Sequence, residues 1–158
     1  MKILFDNCNF SAPTGPSTFA KRLAFQFMAT GHIIADPDDY DIVLVFIEPS
    51  FPSYLRPVVQ RLDGIWFSPS EFQTKNVKIK RCYKNADHVI WQSEFDKNMT
   101  TKWWGAPDHG SVIHNGIYIN PLKDASKLAP EILQIRNSHD KVFCCSANWH
   151  GQKRLKQN

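Results

Sequence analysis

The chain has 158 residues and a formal net charge of +4, and 42% of its residues are hydrophobic, 13% aromatic and 22% charged. This length is typical of one domain with its own core, and the composition excludes disordered and fibrous proteins. No apolar run reaches the about 18 residues of a membrane-spanning helix, and the lysines and arginines are interleaved with acids, so we expect neither a transmembrane segment nor a nucleic-acid partner.

The N-terminal segment predicts a strand and not a secretion signal. Residues 2–6 form a short apolar run that contains an acid, which is atypical of a signal peptide, and we therefore expect a cytoplasmic protein. The four cysteines have neither zinc-ligand spacing nor a C-x-x-C pair, so we expect free thiols. They are Cys8, Cys82, Cys144 and Cys145.

Seven short apolar runs predict strands, with helical patterns between several of them. They cover residues 2–6, 32–35, 42–47, 58–62, 88–92, 111–114 and 142–146. Strands that alternate with helices predict an α/β fold, here a Rossmann-like parallel sheet with helices on both faces.

The first predicted helix follows the first loop. Pro16 stands where a first helical residue is favoured, Phe19, Leu23 and Phe27 recur at intervals of four, and Gly31 can end the helix. Further helices are predicted over residues 75–85, from 93 to 105, and, more weakly, over 126–136. The segments 48–54 and 64–74 contain prolines and predict loops.

The third helix has a recognisable start. Ser93 and Asp96 form a capping-box-like pair, and Gly105 follows the helix. Its apolar stripe comprises Phe95, Met99 and Trp103. This pattern predicts that Trp103 is buried and that Trp104 is exposed.

The loop between the first strand and the first helix, residues 7–18, is a candidate anion site. Backbone N–H groups at the start of a helix face the ligand edge of a parallel sheet, and the helix dipole favours a negative charge there. The alternative is a helix cap in which Gly15 supplies a permissive backbone. The segment matches neither the dinucleotide nor the P-loop glycine pattern.

Five motifs, taken in their order along the chain, resemble one known family. They are "PTGPSTFAKRL", "VVQRLDGIWF", "NADHVIWQSEF", "SVIHNGI" and "CSANWHGQKRL". The ordered set resembles glycosyltransferase family 4, whose members have the GT-B architecture, and it extends over nearly the whole chain.

The resemblance implies a retaining sugar transferase with two Rossmann-like domains. The first domain mainly binds a carbohydrate or glycolipid acceptor and the second mainly binds a nucleotide-sugar donor, without a metal or a tightly bound cofactor. Gly15 matches a glycine that approaches the donor phosphates, and Lys153 matches a lysine that neutralises the donor diphosphate. Asn148 stands where an arginine is common. Asn115 matches the asparagine of the turn that closes the acceptor domain.

The same resemblance divides the chain. Residues 1–120 correspond to the acceptor-side domain, 121–140 to a connector and 141–158 to the start of the donor domain. The acidic donor-site motif is absent from these residues, so we expect the chain alone to transfer no sugar and to need a donor domain or a second chain. A sheet edge predicted at 141–147 would need covering, which leaves homo-oligomerisation open.

Asp63 is the candidate for the acceptor-side carboxylate, and also the only candidate for a catalytic residue. It follows a predicted strand and precedes Gly64, so it either contacts an acceptor hydroxyl or caps the turn.

Two alternatives to the transferase stay open. One is a non-catalytic α/β binding module, and the other is a different phosphate- or nucleotide-binding α/β protein, such as a flavodoxin-like one.

Overall fold

Six parallel strands form one sheet in the computed structural model, which describes residues 1–116 and 130–142. The chain divides into two compact units, Met1–Gly116 and Ile117–Asn158, and the sheet belongs to the first. The strands are β1 (Lys2–Asp6), β2 (Ile33–Ala35), β3 (Ile42–Phe46), β4 (Val58–Leu62), β5 (His88–Trp91) and β6 (Gly110–Val112). Their order is β2-β1-β3-β4-β5-β6, and every neighbouring pair is parallel.

Helices cover both faces of this sheet, which confirms the predicted α/β class. They are α1 (Gly15–Ala29), α2 (Pro69–Asn85) and α3 (Glu94–Trp104). The second unit, described by itself, contains α4 (Pro130–Ser138). α1 connects strands towards one edge of the sheet, whereas α2 and α3 connect strands towards the other edge. Because such crossovers are right-handed, α1 lies on the opposite face from α2 and α3.

Two apolar clusters make up most of the core, one on each face. Under α1 the buried side chains are Ile3, Phe5, Ala20, Ala24, Leu44 and Phe46. Under α2 and α3 they are Leu62, Ile65, Ile79, Tyr83, Val89, Trp91 and Trp104. The strand runs are almost continuously apolar because both faces of a parallel sheet are covered.

The start of α1 follows its sequence signals. The Thr14 hydroxyl accepts a hydrogen bond from the Ser17 backbone N–H at 3.4 Å, and Pro16 stands in the first turn. Ala20 and Ala24 are buried against the sheet. The small side chains let the helix approach closely.

The prediction of a loop over residues 64–74 is partly wrong. Helix α2 begins at Pro69 and has Ser68 at its N-cap position, six residues before the predicted start. Proline is compatible with the first turn of a helix, where its missing N–H would have no partner within the helix. Pro69 therefore marks a helix start and not a loop.

The prediction for the two tryptophans of α3 is wrong. Trp104 is 5% exposed and Trp103 is 53% exposed, because the helix packs through Asp96, Thr100 and Trp104. The Thr100 hydroxyl accepts a hydrogen bond from the Trp91 indole at 2.8 Å. That buried polar contact selects a face that the apolar stripe does not reveal.

The structure describes only some of the residues on which the C-terminal predictions fall. The weakly predicted helix over 126–136 is observed as Pro130–Ser138, inside the predicted connector. The predicted strand over 142–146, the sheet edge at 141–147 and the start of the donor domain lie wholly or mostly outside the described residues.

The packing of α3 predicts opposite effects for its two neighbouring tryptophans. Trp104→Ala should lower the free energy of unfolding by about 3–5 kcal/mol, the usual cost of removing a buried large aromatic side chain. Trp103→Ala removes an exposed side chain and should cost less than about 1 kcal/mol. Urea unfolding followed by far-UV circular dichroism measures both, and equal losses would contradict this packing.

Candidate functional site

Polar side chains converge where β4 and β5 end and just beyond β6. We call Arg61, Asp63, Gln92, Asp96 and Asn115 the carboxyl-edge cluster. Parallel strands place their carboxyl ends at one edge of the sheet, which is where ligands bind in open α/β sheets. The cluster therefore occupies the expected location for a functional site.

Arg61 is the centre of the cluster. It is 5% exposed, forms an ion pair with Asp63, and donates a hydrogen bond to Asn115 Oδ1 at 2.8 Å. Its guanidinium carbon lies 4.0 Å from the centroid of the Phe19 ring and 5.8 Å from that of Phe46. These rings give cation–π contacts that compensate part of the lost hydration.

Gln92 connects the other members. Its amide donates to the Asp63 backbone oxygen at 2.8 Å and its side-chain oxygen accepts from Asn115 Nδ2 at 2.9 Å. The Gln92 backbone oxygen also lies 3.1 Å from His114 Nδ1. The structure thus brings together Asp63 and Asn115, the two residues assigned to the acceptor side, and fixes their orientation through Arg61 and Gln92.

The surroundings of Asp63 show which groups its carboxylate contacts. Burial raises the pKa of the Asp63 carboxyl, and the Arg61 guanidinium opposes that shift. Among the described residues, the Asp63 carboxylate bonds to Arg61 and accepts no hydrogen bond from the backbone of the turn. The turn-capping alternative therefore has no contact to support it, whereas a side chain that is 22% exposed can still meet a ligand.

Asp96 brings a second carboxyl group into the same region. It is 4% exposed, and its Oδ2 atom has no hydrogen-bond partner among the described residues. Burial, followed by the negative charge of Asp63, raises the pKa of Asp96 to about 7, although Arg61 acts in the opposite direction. Its backbone N–H donates to Ser93 Oγ at 3.1 Å, so the capping role expected from the sequence accounts for the backbone and not for the carboxyl group.

A second candidate region lies beside the cluster, at the ends of β1 and β3, where the strand order reverses. It is a groove of about 600 Å³, which we call the switch-point groove, and its lining includes Asp6, Cys8, Thr14, Ser17 and Phe51. Asp6 Oδ2 accepts hydrogen bonds from the Ser50 backbone at 2.8 Å and from the Tyr54 hydroxyl. These bonds anchor the loop after β3.

The predicted phosphate-binding residues are only partly described. Gly15 lies between Thr14 and Pro16, which line the switch-point groove. A Cβ atom added to Gly15 would meet nothing within 4 Å, so packing within the described residues does not require a glycine there. Asn148 and Lys153 lie outside the described residues, and Gly15 belongs to a different group from Asp63 and Asn115.

Sequence reasoning missed Arg61 and Gln92. It identified Asp96 only as a helix-capping residue and missed that its carboxyl group belongs to the cluster. One signal was present: Gln60 and Arg61 are two consecutive polar residues inside a central strand with apolar neighbours on both sides. In a strand covered on both faces, such residues must have specific partners.

Within the described parts of the chain, no group of three or more His, Cys, Asp or Glu residues could hold a metal ion. None of the helices described has the length and apolar character needed to cross a membrane. Comparisons with protein-family models, with curated proteins and with solved structures found no match.

The burial of Arg61 predicts a large and specific loss of stability. Arg61→Met leaves Asp63 without its counter-charge and should lower the free energy of unfolding by about 3–5 kcal/mol. Arg56→Met is the same change at an exposed position, and it should alter the free energy of unfolding by no more than about 0.5 kcal/mol. Adding Asp63→Asn to Arg61→Met should recover part of the loss. Equal values for the two single variants in urea unfolding would disprove a structural role for Arg61.

The raised pKa of Asp96 predicts how stability changes with pH. The folded protein retains the Asp96 proton up to about pH 7, whereas the unfolded chain releases it near its ordinary acidic pKa. The stability that the Asp96 proton contributes is therefore fully present below the pKa of the unfolded chain. It is lost as the pH rises through the pKa of the folded protein. Asp96→Asn should gain stability relative to the parent protein between about pH 4 and 7. A difference that is constant over this range, in unfolding measured at several pH values, would contradict the assignment.

Proposed function

We propose that this chain is the acceptor-side part of a retaining sugar transferase of the GT-B type. The carboxyl-edge cluster holds a hydroxyl-rich carbohydrate or glycolipid acceptor. The donor is a nucleotide-sugar, and most of its binding residues come from a further domain or a second chain. The α/β sheet with helices on both faces supports this proposal, because it is the architecture that the resemblance implies.

One observation carries the proposal. Asp63 and Asn115 are far apart in the sequence, and they were assigned to the acceptor side on separate grounds, Asp63 from its position after a strand and Asn115 from the resemblance. Both bond to the same buried guanidinium, that of Arg61. Residues that hold one ligand have to lie together, and these two do.

The chemistry of the cluster suits a sugar hydroxyl. Asp63 Oδ1 is engaged with Arg61, and the other carboxylate oxygen can accept a hydrogen bond from an acceptor hydroxyl. The amide groups of Gln92 and Asn115 hold the surrounding geometry. In the proposed reaction these residues position the acceptor, and positioning accounts for much of the rate gain in such transfers.

The donor side rests on the resemblance alone. In this proposal Gly15 lets the donor phosphates approach the start of α1, while Asn148 and Lys153 bond to the diphosphate. Neutralising the departing diphosphate stabilises the transition state without a metal. The described residues therefore contribute mainly to acceptor binding, and we expect no turnover by this chain alone.

A second candidate function is supported by the strand order. The order β2-β1-β3-β4-β5-β6 reverses between β1 and β3, and the switch-point groove lies at that reversal. Flavodoxin-like proteins have a similar order and bind a phosphate-bearing cofactor at this position. In that case the chain is a phosphate- or nucleotide-binding protein, and the carboxyl-edge cluster is structural.

Calorimetry with two ligand panels tests the proposal. One panel consists of simple glycosides and glycolipid headgroups, and the other of UDP-, GDP- and ADP-sugars. We expect a glycoside to bind, and Asp63→Asn to weaken binding by about tenfold or more, since one charge-assisted hydrogen bond is lost. Asp39→Asn is the matched control, because Asp39 is exposed and pairs with Lys2 at the other end of the strands.

The two candidate functions give different results. Gly15→Ala should leave glycoside binding unchanged, whereas it should weaken a phosphate ligand that sits against the start of α1. Flavin or nucleotide binding that is sensitive to Gly15→Ala, together with no binding of any glycoside, would favour the second candidate, because the transferase proposal also places donor phosphates at Gly15 but requires a glycoside site. Failure of every glycoside, with both variants folded, would overturn the acceptor role.

A further inference from the structure

A basic groove with aromatic walls lies between α2 and α3. Its volume is about 450 Å³. Its lining comprises Phe72, Gln73, Asn76, Val77, Lys80, Arg81, Lys84, Trp103 and Trp104. Three of these side chains are cationic and none is acidic. We call this surface the α2–α3 groove.

The groove exposes apolar surface beside its charges. Trp103 is 53% exposed and Val77 is 61% exposed, and the Trp103 ring packs against Phe72 with centroids 5.3 Å apart. None of the four ion pairs among the described residues engages Lys80, Arg81 or Lys84. Tryptophan and arginine are enriched at interfaces, and a cationic surface is complementary to an anionic partner.

The chain itself carries a complementary surface. The segment 36–41, which connects β2 to β3, contains Asp36, Asp38, Asp39 and Asp41, and all four are exposed. Lys2 is the cation that pairs with this segment, through Asp39 at 2.5 Å. Pro37 within the segment and Ile33 just before it are also exposed, so the segment combines acidic and apolar groups.

The two surfaces lie apart within one copy. Strand β5 lies between α2 and α3 in the chain. The acidic segment runs from the end of β2, four strand spacings or about 19 Å from β5, to the start of β3, two spacings or about 10 Å from β5. No ion pair among the described residues joins the acidic segment to the groove.

We propose that the acidic segment 36–41 of one copy docks into the α2–α3 groove of a second copy. We take this contact to be head-to-tail rather than the reciprocal pair of contacts of a closed dimer, so each added copy leaves one groove and one segment unoccupied. Open chains that lengthen with concentration are the consequence. The carboxyl-edge cluster takes no part, and the proposal does not depend on the proposed function.

Sedimentation velocity of the whole chain tests this proposal. The weight-average sedimentation coefficient should rise with protein concentration without a plateau at about 0.01 M salt, where charges act over about 30 Å. At about 1 M salt, where that range is about 3 Å, the association constant should fall about tenfold or more. A monomer at every concentration, or a closed dimer, would overturn the proposal.

Two neutralised variants make the test specific. Lys80→Gln with Lys84→Gln disables the groove, and Asp36→Asn with Asp38→Asn disables the segment, so each variant alone should be monomeric. An equimolar mixture has one working groove and one working segment per pair, and it should form a heterodimer and nothing larger. A mixture that stays monomeric, or single variants that associate like the parent protein, would refute head-to-tail docking.

A charge control and a lipid-binding assay complete the experiment. Lys21→Gln with Arg22→Gln removes two exposed cations from α1 and should associate like the parent protein, which controls for net charge. Vesicles of anionic phospholipid are the alternative occupant of the groove. A monomeric protein that binds these vesicles, and loses binding with Lys80→Gln and Lys84→Gln, would assign the groove to a lipid surface and overturn self-association.

Discussion

A buried guanidinium in a central strand is the constraint on which the carboxyl edge depends. Taking a charge out of water costs several kcal/mol, so Arg61 must be surrounded by groups that compensate it. Asp63 supplies the counter-charge, Asn115 accepts a hydrogen bond, and the guanidinium lies over the rings of Phe19 and Phe46. These partners come from α1, β3, the turn after β4 and the segment after β6. The Arg61 side chain therefore connects the candidate site to four separate parts of the first unit.

The cluster also has more acidic groups than basic ones. Two carboxyl groups, those of Asp63 and Asp96, face a region with one buried cation. Asp63 has the direct ion pair, and Asp96 is left with an oxygen that has no partner among the described residues and with a raised pKa. The arrangement separates the two acids into different roles. Asp63 stays beside its counter-charge near the surface, while Asp96 keeps its proton until about neutral pH.

The sequence predicted the strands well because their burial produces a simple pattern. β1 and β4 have the predicted limits, and the other described strands differ from prediction by at most two residues at either end. The packed face of α3 was not predictable in this way. Thr100 and Asp96 are polar, and they are buried because Thr100 bonds to the Trp91 indole, a contact between separate elements.

The candidate site was predictable in its location and not in its connections. Asp63 was identified from its position after a strand and Asn115 from a short motif, yet Arg61, which joins them, lies 54 positions from Asn115. A pairing over that distance depends on the strand order, which local spacing does not encode. The position of Gly15 beside the switch-point groove follows from the first strand and helix alone, and it could be anticipated.

Chemical-shift mapping on the isotope-labelled chain tests the central claim most directly. A glycoside that binds should shift the side-chain signals of Arg61, Gln92 and Asn115 and the backbone signals around Asp63. It should leave the signals around Thr14 and Cys8 in the switch-point groove unchanged. Shifts confined to the switch-point groove, or to the α2–α3 groove, would contradict the claim that the carboxyl-edge cluster is the ligand site.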